Sequence, residues 1–229
     1  MISCSSGEID PLSNLARQRN YVYAGLSDYT VFPDVGRKLE EYYLAFQNSS
    51  LLLTEFSVNS GHAQITNNYG NTCSSSRPPY INNCGLDSVQ VFWTHQYGPL
   101  KPKTAMVASN LIKFDQSEYP AFSFQDEAFV YVPTACQQGV TCGLHVAFHG
   151  CTQNSENFNV MEQYVTSAGY NEWAEANAII VLYPQVASTV GDNPNACFDW
   201  FGYTGANYAT KGGQQMKAVK AMMDTLMSG

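Results

Sequence analysis

Charge is scarce in this 229-residue chain: Lys, Arg, Asp and Glu together make up 13% of it. No basic run of any length occurs, so the electrostatic footprint of a nucleic-acid-binding protein is missing and no nucleic-acid partner is expected. No apolar stretch approaches the roughly 20 residues of a membrane-spanning helix, and no membrane partner is expected either. The opening Met1-Ile-Ser-Cys-Ser-Ser-Gly-Glu8 has neither a basic start nor an apolar centre, so it does not read as a signal peptide. There is no CxxC pair and no Cys/His set at zinc spacing, which leaves no metal centre to expect. What is present is 45% hydrophobic residues and a net charge of −8, from 11 Lys+Arg against 19 Asp+Glu. That composition belongs to a globular chain, long enough for one large domain or two small ones.

Seven cysteines stand out against this background. Cys73 and Cys84 bracket a short polar loop, Cys136 and Cys142 bracket another, and Cys151 and Cys197 stand farther apart. Loops closed by disulfides in an oxidising compartment fit this usage better than metal binding. Three pairs leave Cys4 over, and an odd cysteine in a secreted chain needs an explanation. Cysteines thus point to export while the first residues offer no export signal, and a missing upstream segment is expected.

Alternation of apolar patterns predicts the elements. Residues 20–26 read as a strand, and Pro33-Asp34 opens a helix with Val35, Leu39, Tyr42, Tyr43 and Phe46 at helical spacing. Residues 51–58 are another strand, ending at Asn59-Ser60-Gly61-His62. Residues 87–98 form a helix with Val91, Phe92 and His95 on one side. Residues 101–125 are an irregular or β connection, and 128–133 and 144–148 are strands. A helix is expected over 161–177, with a conflict at Gly169. Residues 178–184 form a continuous apolar run of the kind buried on both faces of a parallel sheet. A last helix over 213–229 should carry Met216, Val219, Met223 and Leu226 inward. Strands alternating with helices predict an α/β fold with a mostly parallel sheet, without a clear domain linker.

The chemistry centres on a few positions. The apolar strand Gly143-Leu-His-Val-Ala-Phe148 runs into His149-Gly150-Cys151, where glycine lets the main chain approach a ligand closely. In α/β-hydrolases such a turn supplies half of the oxyanion hole; an ordinary strand-to-turn junction is the alternative. Asp28 follows the first strand and His62 follows the second, the places and the order of a triad carboxylate and its general base. A turn-forming Asp28 and a surface-loop His62 are the bland readings. A nucleophile elbow, G-x-S-x-G, is missing. Gly25-Leu-Ser27-Asp-Tyr29 begins correctly but puts Tyr29 where the last glycine belongs, and Ser27 adjoins the best candidate acid. Cys4-Ser5-Ser6-Gly7 has no strand before it. His145 and His149 fall on one strand face, but no third histidine or carboxylate completes a metal set, so a structural role is favoured. Asn193-Pro-Asn-Ala-Cys197-Phe-Asp-Trp200-Phe-Gly-Tyr203 is an aromatic loop, either a platform for an apolar substrate or core, and Cys197 could tether it to the His149-Gly150 turn.

Several long motifs in one order carry a resemblance. Leu144-His-Val-Ala-Phe-His-Gly-Cys-Thr-Gln153, Gly169-Tyr-Asn-Glu-Trp-Ala-Glu-Ala-Asn177, Ile180-Val-Leu-Tyr-Pro-Gln185, Asn193-Pro-Asn-Ala-Cys-Phe-Asp-Trp200 and Cys73 with Pro79-Tyr-Ile-Asn-Asn-Cys84 resemble the extracellular poly(3-hydroxybutyrate) depolymerases of the single-domain type. The resemblance covers nearly all the chain from about Ile9 onward. It implies a circularly permuted α/β-hydrolase-like fold, a mostly parallel sheet flanked by helices, and a serine esterase that needs no cofactor. Its substrate would be the polyester or related short-chain 3-hydroxyacyl esters. It further implies that Asp28 and His62 are triad members and that the Cys151 backbone N–H serves the oxyanion hole. Trp200, with Asn195 in the same loop, would contact substrate. Cys73–Cys84, Cys136–Cys142 and Cys151–Cys197 would be disulfides, and the protein would be secreted and monomeric. The departure is the elbow: the family's Gly-Leu-Ser-Ser-Gly-Gly-like motif belongs upstream of Asp28. One missing segment would account for the nucleophile, the export signal and a partner for Cys4. The expectation is that residues 1–229 are a single, N-terminally incomplete catalytic domain, inactive alone. The alternatives are a non-catalytic secreted module that binds polyester or another extracellular ligand, and a small-ester or feruloyl-type esterase.

Overall fold

Parallel strand pairs recur along the described residues, in sheets of two, three and four strands. The structure, a computed structural model, describes residues 7–154 and 158–228. These divide into two compact units, residues 10–100 and residues 101–228 with 7–9. Cys4 lies outside the described residues, as does the start of the Cys4-Ser5-Ser6-Gly7 segment. Among the described residues no helix is long and apolar enough to cross a membrane.

In the unit of residues 10–100, β1 (Asn20–Tyr23) leads to α1 (Pro33–Leu44) and then β2 (Leu52–Glu55). Pro33 sits at the helix start, where its missing N–H leaves no partner unsatisfied. The strands β1 and β2 pair in parallel, Val22 opposite Thr54 and Tyr23 opposite Glu55. The helix forms where the spacing predicts it but buries none of its residues; Val35, Leu39 and Tyr42 are exposed. Next, β3 (Gln64–Thr66), β4 (Asn71–Thr72) and β5 (Ile81–Asn83) form a parallel sheet in the order β3-β5-β4, with Cys73–Cys84 closing its loop. The Asp87 side chain caps α2 (Ser88–Tyr97) by accepting the Gln90 N–H at 3.1 Å. This helix forms where expected and buries Val89 and Trp93, one helical turn apart. Val91, Phe92 and His95 sit at the margin: Phe92 stacks on Tyr21, and His95 bonds the Leu51 carbonyl. Val22, Ala24, Ile65, Ile81, Val89 and Trp93 are the buried apolar residues of this unit.

In the second unit, β6 (Leu111–Asp115) occupies the stretch where the sequence pattern was weak, and β7 (Glu127–Tyr131) follows. The short α3 (Thr134–Gln137) opens a loop closed by Cys136–Cys142 before β8 (Gly143–Val146). The helix expected over 161–177 is two helices, α4 (Phe158–Ser167) and α5 (Tyr170–Asn177). Gly169 breaks them at φ +93°, a left-handed conformation that glycine adopts without strain. The strand β9 (Ile179–Tyr183) is central and almost wholly buried, as its continuous apolar run predicts. The sheet order is β6-β7-β9-β8, with β8 and β9 parallel and the other pairs antiparallel.

The chain ends in α6 (Gln214–Ser228), whose inward face carries Val219 as expected but not Met216. Gln215, Ala218, Val219 and Met222 are buried, whereas Met216 is 54% exposed. Gln215 claims the inward position because it satisfies buried loop groups. Its Nε2 donates to the Phe122 carbonyl and the Tyr203 hydroxyl, and its Oε1 accepts the Asp199 N–H. Met223 and Leu226, partly buried, pack against the Leu182–Ala218–Met222 cluster as expected. The class is α/β, as expected, with most strand pairs parallel, distributed over three sheets among the described residues.

Candidate active-site residues

Beyond the paired strands β1 and β2, the two loops continue side by side. Ala24 N–H bonds the Glu55 carbonyl, Leu26 N–H the Val58 carbonyl, and Ser27 N–H the Ser60 carbonyl. Such a close approach needs glycine. A Cβ on Gly25 would lie 2.1 Å from Ser60 Oγ and 2.3 Å from Ser60 O, and one on Gly61 would lie 2.2 Å from the Ser75 carbonyl oxygen. Asp28 and His62 stand just past these contacts.

Asp28 is 8% exposed, and its carboxylate has three donors around it. Its Oδ1 accepts the N–H groups of Thr30 and Val31, both at 2.9 Å, and its Oδ2 lies 2.8 Å from His62 Nδ1. A carboxylate only accepts, so His62 carries its proton on Nδ1 and presents Nε2 as the basic nitrogen. The imidazole is about half exposed (44%), and Nε2 has no hydrogen-bond partner among the described residues. Ser76 Oγ accepts the His62 N–H at 2.9 Å and restrains the backbone that carries the ring. Ser27 is not wired to this pair: its hydroxyl donates to Asn59 Oδ1 at 2.5 Å.

In the second unit the His149-Gly150-Cys151 turn follows β8. Gly150 N–H donates to Gln153 Oε1 at 2.8 Å, Thr152 N–H to the Asn195 carbonyl at 2.7 Å, and Gln153 N–H to the Gly150 carbonyl at 3.2 Å. Of the four N–H groups from Gly150 to Gln153, that of Cys151 alone has no partner among the described residues. The Cys151–Cys197 disulfide and the Thr152–Asn195 bond tie the turn to the aromatic loop. His145 stacks on Tyr170 and His149 packs against Phe198. Burial pushes both imidazoles down to about 4, so both are neutral near pH 7.

Trp200 is 71% exposed on a loop held by a set of hydrogen bonds. The Asp199 carboxylate accepts from the N–H groups of Phe201, Gly202, Tyr203 and Thr204 and from the Thr204 hydroxyl. Partial burial by itself raises the Asp199 carboxyl, but these donors outweigh it and hold the group below its ordinary value. Asn193, 1% exposed, anchors the other end by donating to the Cys197 carbonyl and Ser123 Oγ and accepting the Cys197 N–H. Neither Asp199 nor Asn193 was singled out from sequence. The signal for Asp199 was its spacing to Gly202, an acceptor followed by a turn glycine. Asn195 is exposed, and its backbone carbonyl receives the Thr152 N–H.

The structure therefore joins Asp28 to His62 within one unit, and Cys151 to Cys197 and the Asn195 backbone within the other. All three cysteine pairings implied by the resemblance are present. No protein-family model matches the chain. The poly(3-hydroxybutyrate) depolymerase of Delftia acidovorans is 40% identical over 230 residues, covering 98% of this chain and 46% of that protein. The polyhydroxybutyrate depolymerase of Talaromyces funiculosus is 34% identical over 245 residues, covering 100% of this chain and 72% of that protein. The chain belongs to the poly(3-hydroxybutyrate) depolymerase family. The crystal structure of the depolymerase from Penicillium funiculosum superposes with a TM-score of 0.91 at 33% identity, over 96% of this chain and 74% of that one. The fold is thus the α/β-hydrolase type of the depolymerase family. The chain spans about half the length of the Delftia depolymerase.

Proposed function

We propose that residues 1–229 are part of the catalytic domain of a secreted serine esterase that hydrolyses poly(3-hydroxybutyrate) or related short-chain 3-hydroxyacyl esters. The observation that carries this reading is the 2.8 Å contact between Asp28 Oδ2 and His62 Nδ1, with Nε2 left open as a base. In the proposed reaction a serine attacks the ester carbonyl, and His62 takes its proton at Nε2 and delivers it to the departing alkoxide. Water then cleaves the acyl-enzyme by the same base. Asp28 holds the tautomer and stabilises the imidazolium, and the Cys151 N–H donates to the oxyanion. No cofactor enters any step. Trp200 and Asn195 are proposed substrate contacts. The substrate class is supported by the named activity of the relatives and by a related depolymerase solved in complex with an R3HB trimer. The alignment runs through both units, which supports reading them as one catalytic domain. Three disulfides support an extracellular location, and a monomer is proposed.

Ser27, turned toward Asn59, is excluded from the role of nucleophile in this reading, and the purified 229-residue chain is expected to show negligible hydrolysis of butyrate esters. Robust hydrolysis that disappears in Ser27→Ala would overturn both statements. A second reading, a non-catalytic polyester-binding module, is favoured by the exposed Trp200 on its hydrogen-bonded loop. Retention on polymer granules without hydrolysis by any natural form of the protein, and lost in Trp200→Ala, would select it.

A further inference from the structure

The Val186 N–H points at His149 Nε2 at 3.2 Å. A backbone amide only donates, so Nε2 accepts, and the neutral ring carries its proton on Nδ1. That Nδ1–H lies 2.8 Å from the Gly150 carbonyl oxygen, which also accepts the Gln153 N–H. Across a trans peptide, the C=O and N–H of one unit point to opposite sides. Two donors that hold the Gly150 carbonyl therefore turn the other end of that unit, the Cys151 N–H, away from both. The restraint matters because a glycine leaves its peptide units unusually free to rotate. The imidazole that applies it is 4% exposed and packed 5.0 Å from the Phe198 ring, so it has little room to swing aside. Burial keeps the ring neutral, with its titration pushed down to about 4, so the same tautomer persists at neutral pH.

We propose that His149 is a positioning residue whose Nδ1–H locks the Gly150–Cys151 peptide with the Cys151 N–H presented outward as a donor. Its functional meaning rests on the proposed oxyanion role of Cys151, but the lock itself is read without ester turnover.

Nitrogen-15 NMR of the 229-residue chain tests it. Long-range spectra should show His149 protonated on Nδ1 and bare on Nε2. The Cys151 amide should exchange with solvent at least about tenfold faster than those of Gly150, Thr152 and Gln153. Two variants separate the lock from a simple strut. His149→Asn keeps a donor at the Nδ1 place and loses the acceptor for Val186, whereas His149→Gln does the reverse. The lock predicts that the exchange contrast survives in His149→Asn and shrinks to about twofold or less in His149→Gln. A strut for Val186 predicts the opposite order. That opposite order, an Nε2–H tautomer in the wild type, or a protected Cys151 amide overturns the proposal. Should both variants fail to fold, the wild-type tautomer and amide contrast decide it. An ester assay showing no role for the Cys151 N–H would refute the oxyanion reading and leave the lock standing.

Discussion

Replacing Gly25 by alanine should break the contact that brings the Asp28 and His62 loops together. The added Cβ would lie 2.3 Å from Ser60 O and 2.9 Å from Ser60 C, both backbone atoms, where ordinary contact begins near 3.4 Å. Ser60 is 0% exposed and its hydroxyl bonds Tyr23 OH at 2.6 Å, so it has nowhere to retreat. The loops must part by about 1 Å, which costs about 1–3 kcal/mol as overpacking. The Ser27 N–H to Ser60 O bond is stretched at the same time, for about 1 kcal/mol more. Each kcal/mol lowers the melting temperature of a chain this size by about 2–4 °C, so a loss of about 5–15 °C is expected. Gly85→Ala is the control: Gly85 has φ +70° but nothing within 4 Å of its added Cβ. It should pay only the left-handed penalty of about 1 kcal/mol. Thermal unfolding by circular dichroism compares the two, and the low-field proton resonance of His62 Nδ1–H reports the Asp28 contact. If Gly25→Ala melts no lower than Gly85→Ala and keeps that resonance, the steric account of the loop crossing is wrong.

Other perturbations probe the remaining pieces. Asp28→Asn puts an N–H donor within reach of His62 Nδ1 and should drive the ring to the Nε2–H tautomer, visible by NMR; in an active form turnover should fall about ten-thousand-fold, the cost of the wrong tautomer in a serine triad. Asp199→Ala removes the acceptor of five hydrogen bonds in the Trp200 loop, and retention on polymer granules should drop to the level of Trp200→Ala; retention equal to wild type would show that loop order is irrelevant to binding. Burial lowers the folded-state pKa of His149 to about 4, below its unfolded value of about 6.5, so its stability contribution is fully present above pH 6.5 and lost as pH falls toward 4. This amounts to about 3 kcal/mol, and the melting temperature of His149→Asn should therefore fall less steeply than wild type over that window.

Where local chemistry decided the structure, the sequence could be read. Asp87 before an apolar-periodic run marked the start of α2, Pro33 marked α1, and the unbroken run of β9 marked a strand buried on both faces. Gly169 was legible as a conflict, and the structure resolves it as a break between helices. Asp28 and His62 were legible because each follows a strand at the turn where such side chains converge. Distant partners set what was not legible. The phase of α6 depends on Gln215 meeting Phe122, Tyr203 and Asp199, and periodicity alone favoured Met216. The depth of Trp93 in α2 was likewise not marked by its spacing. The roles of Asn193 and Asp199 rest on backbone donors that only the folded loop assembles, and that the Cys151 N–H lacks a partner among the described residues could be seen only with its three neighbours in place.

The most direct test of the catalytic reading is hydrolysis of poly(3-hydroxybutyrate) by the natural gene product, in wild-type and His62→Ala forms that melt at the same temperature. Release of soluble 3-hydroxybutyrate esters should fall at least about a thousandfold when His62 is lost. Release at the wild-type rate by His62→Ala would contradict the assignment of the Asp28–His62 pair as the acid–base machinery.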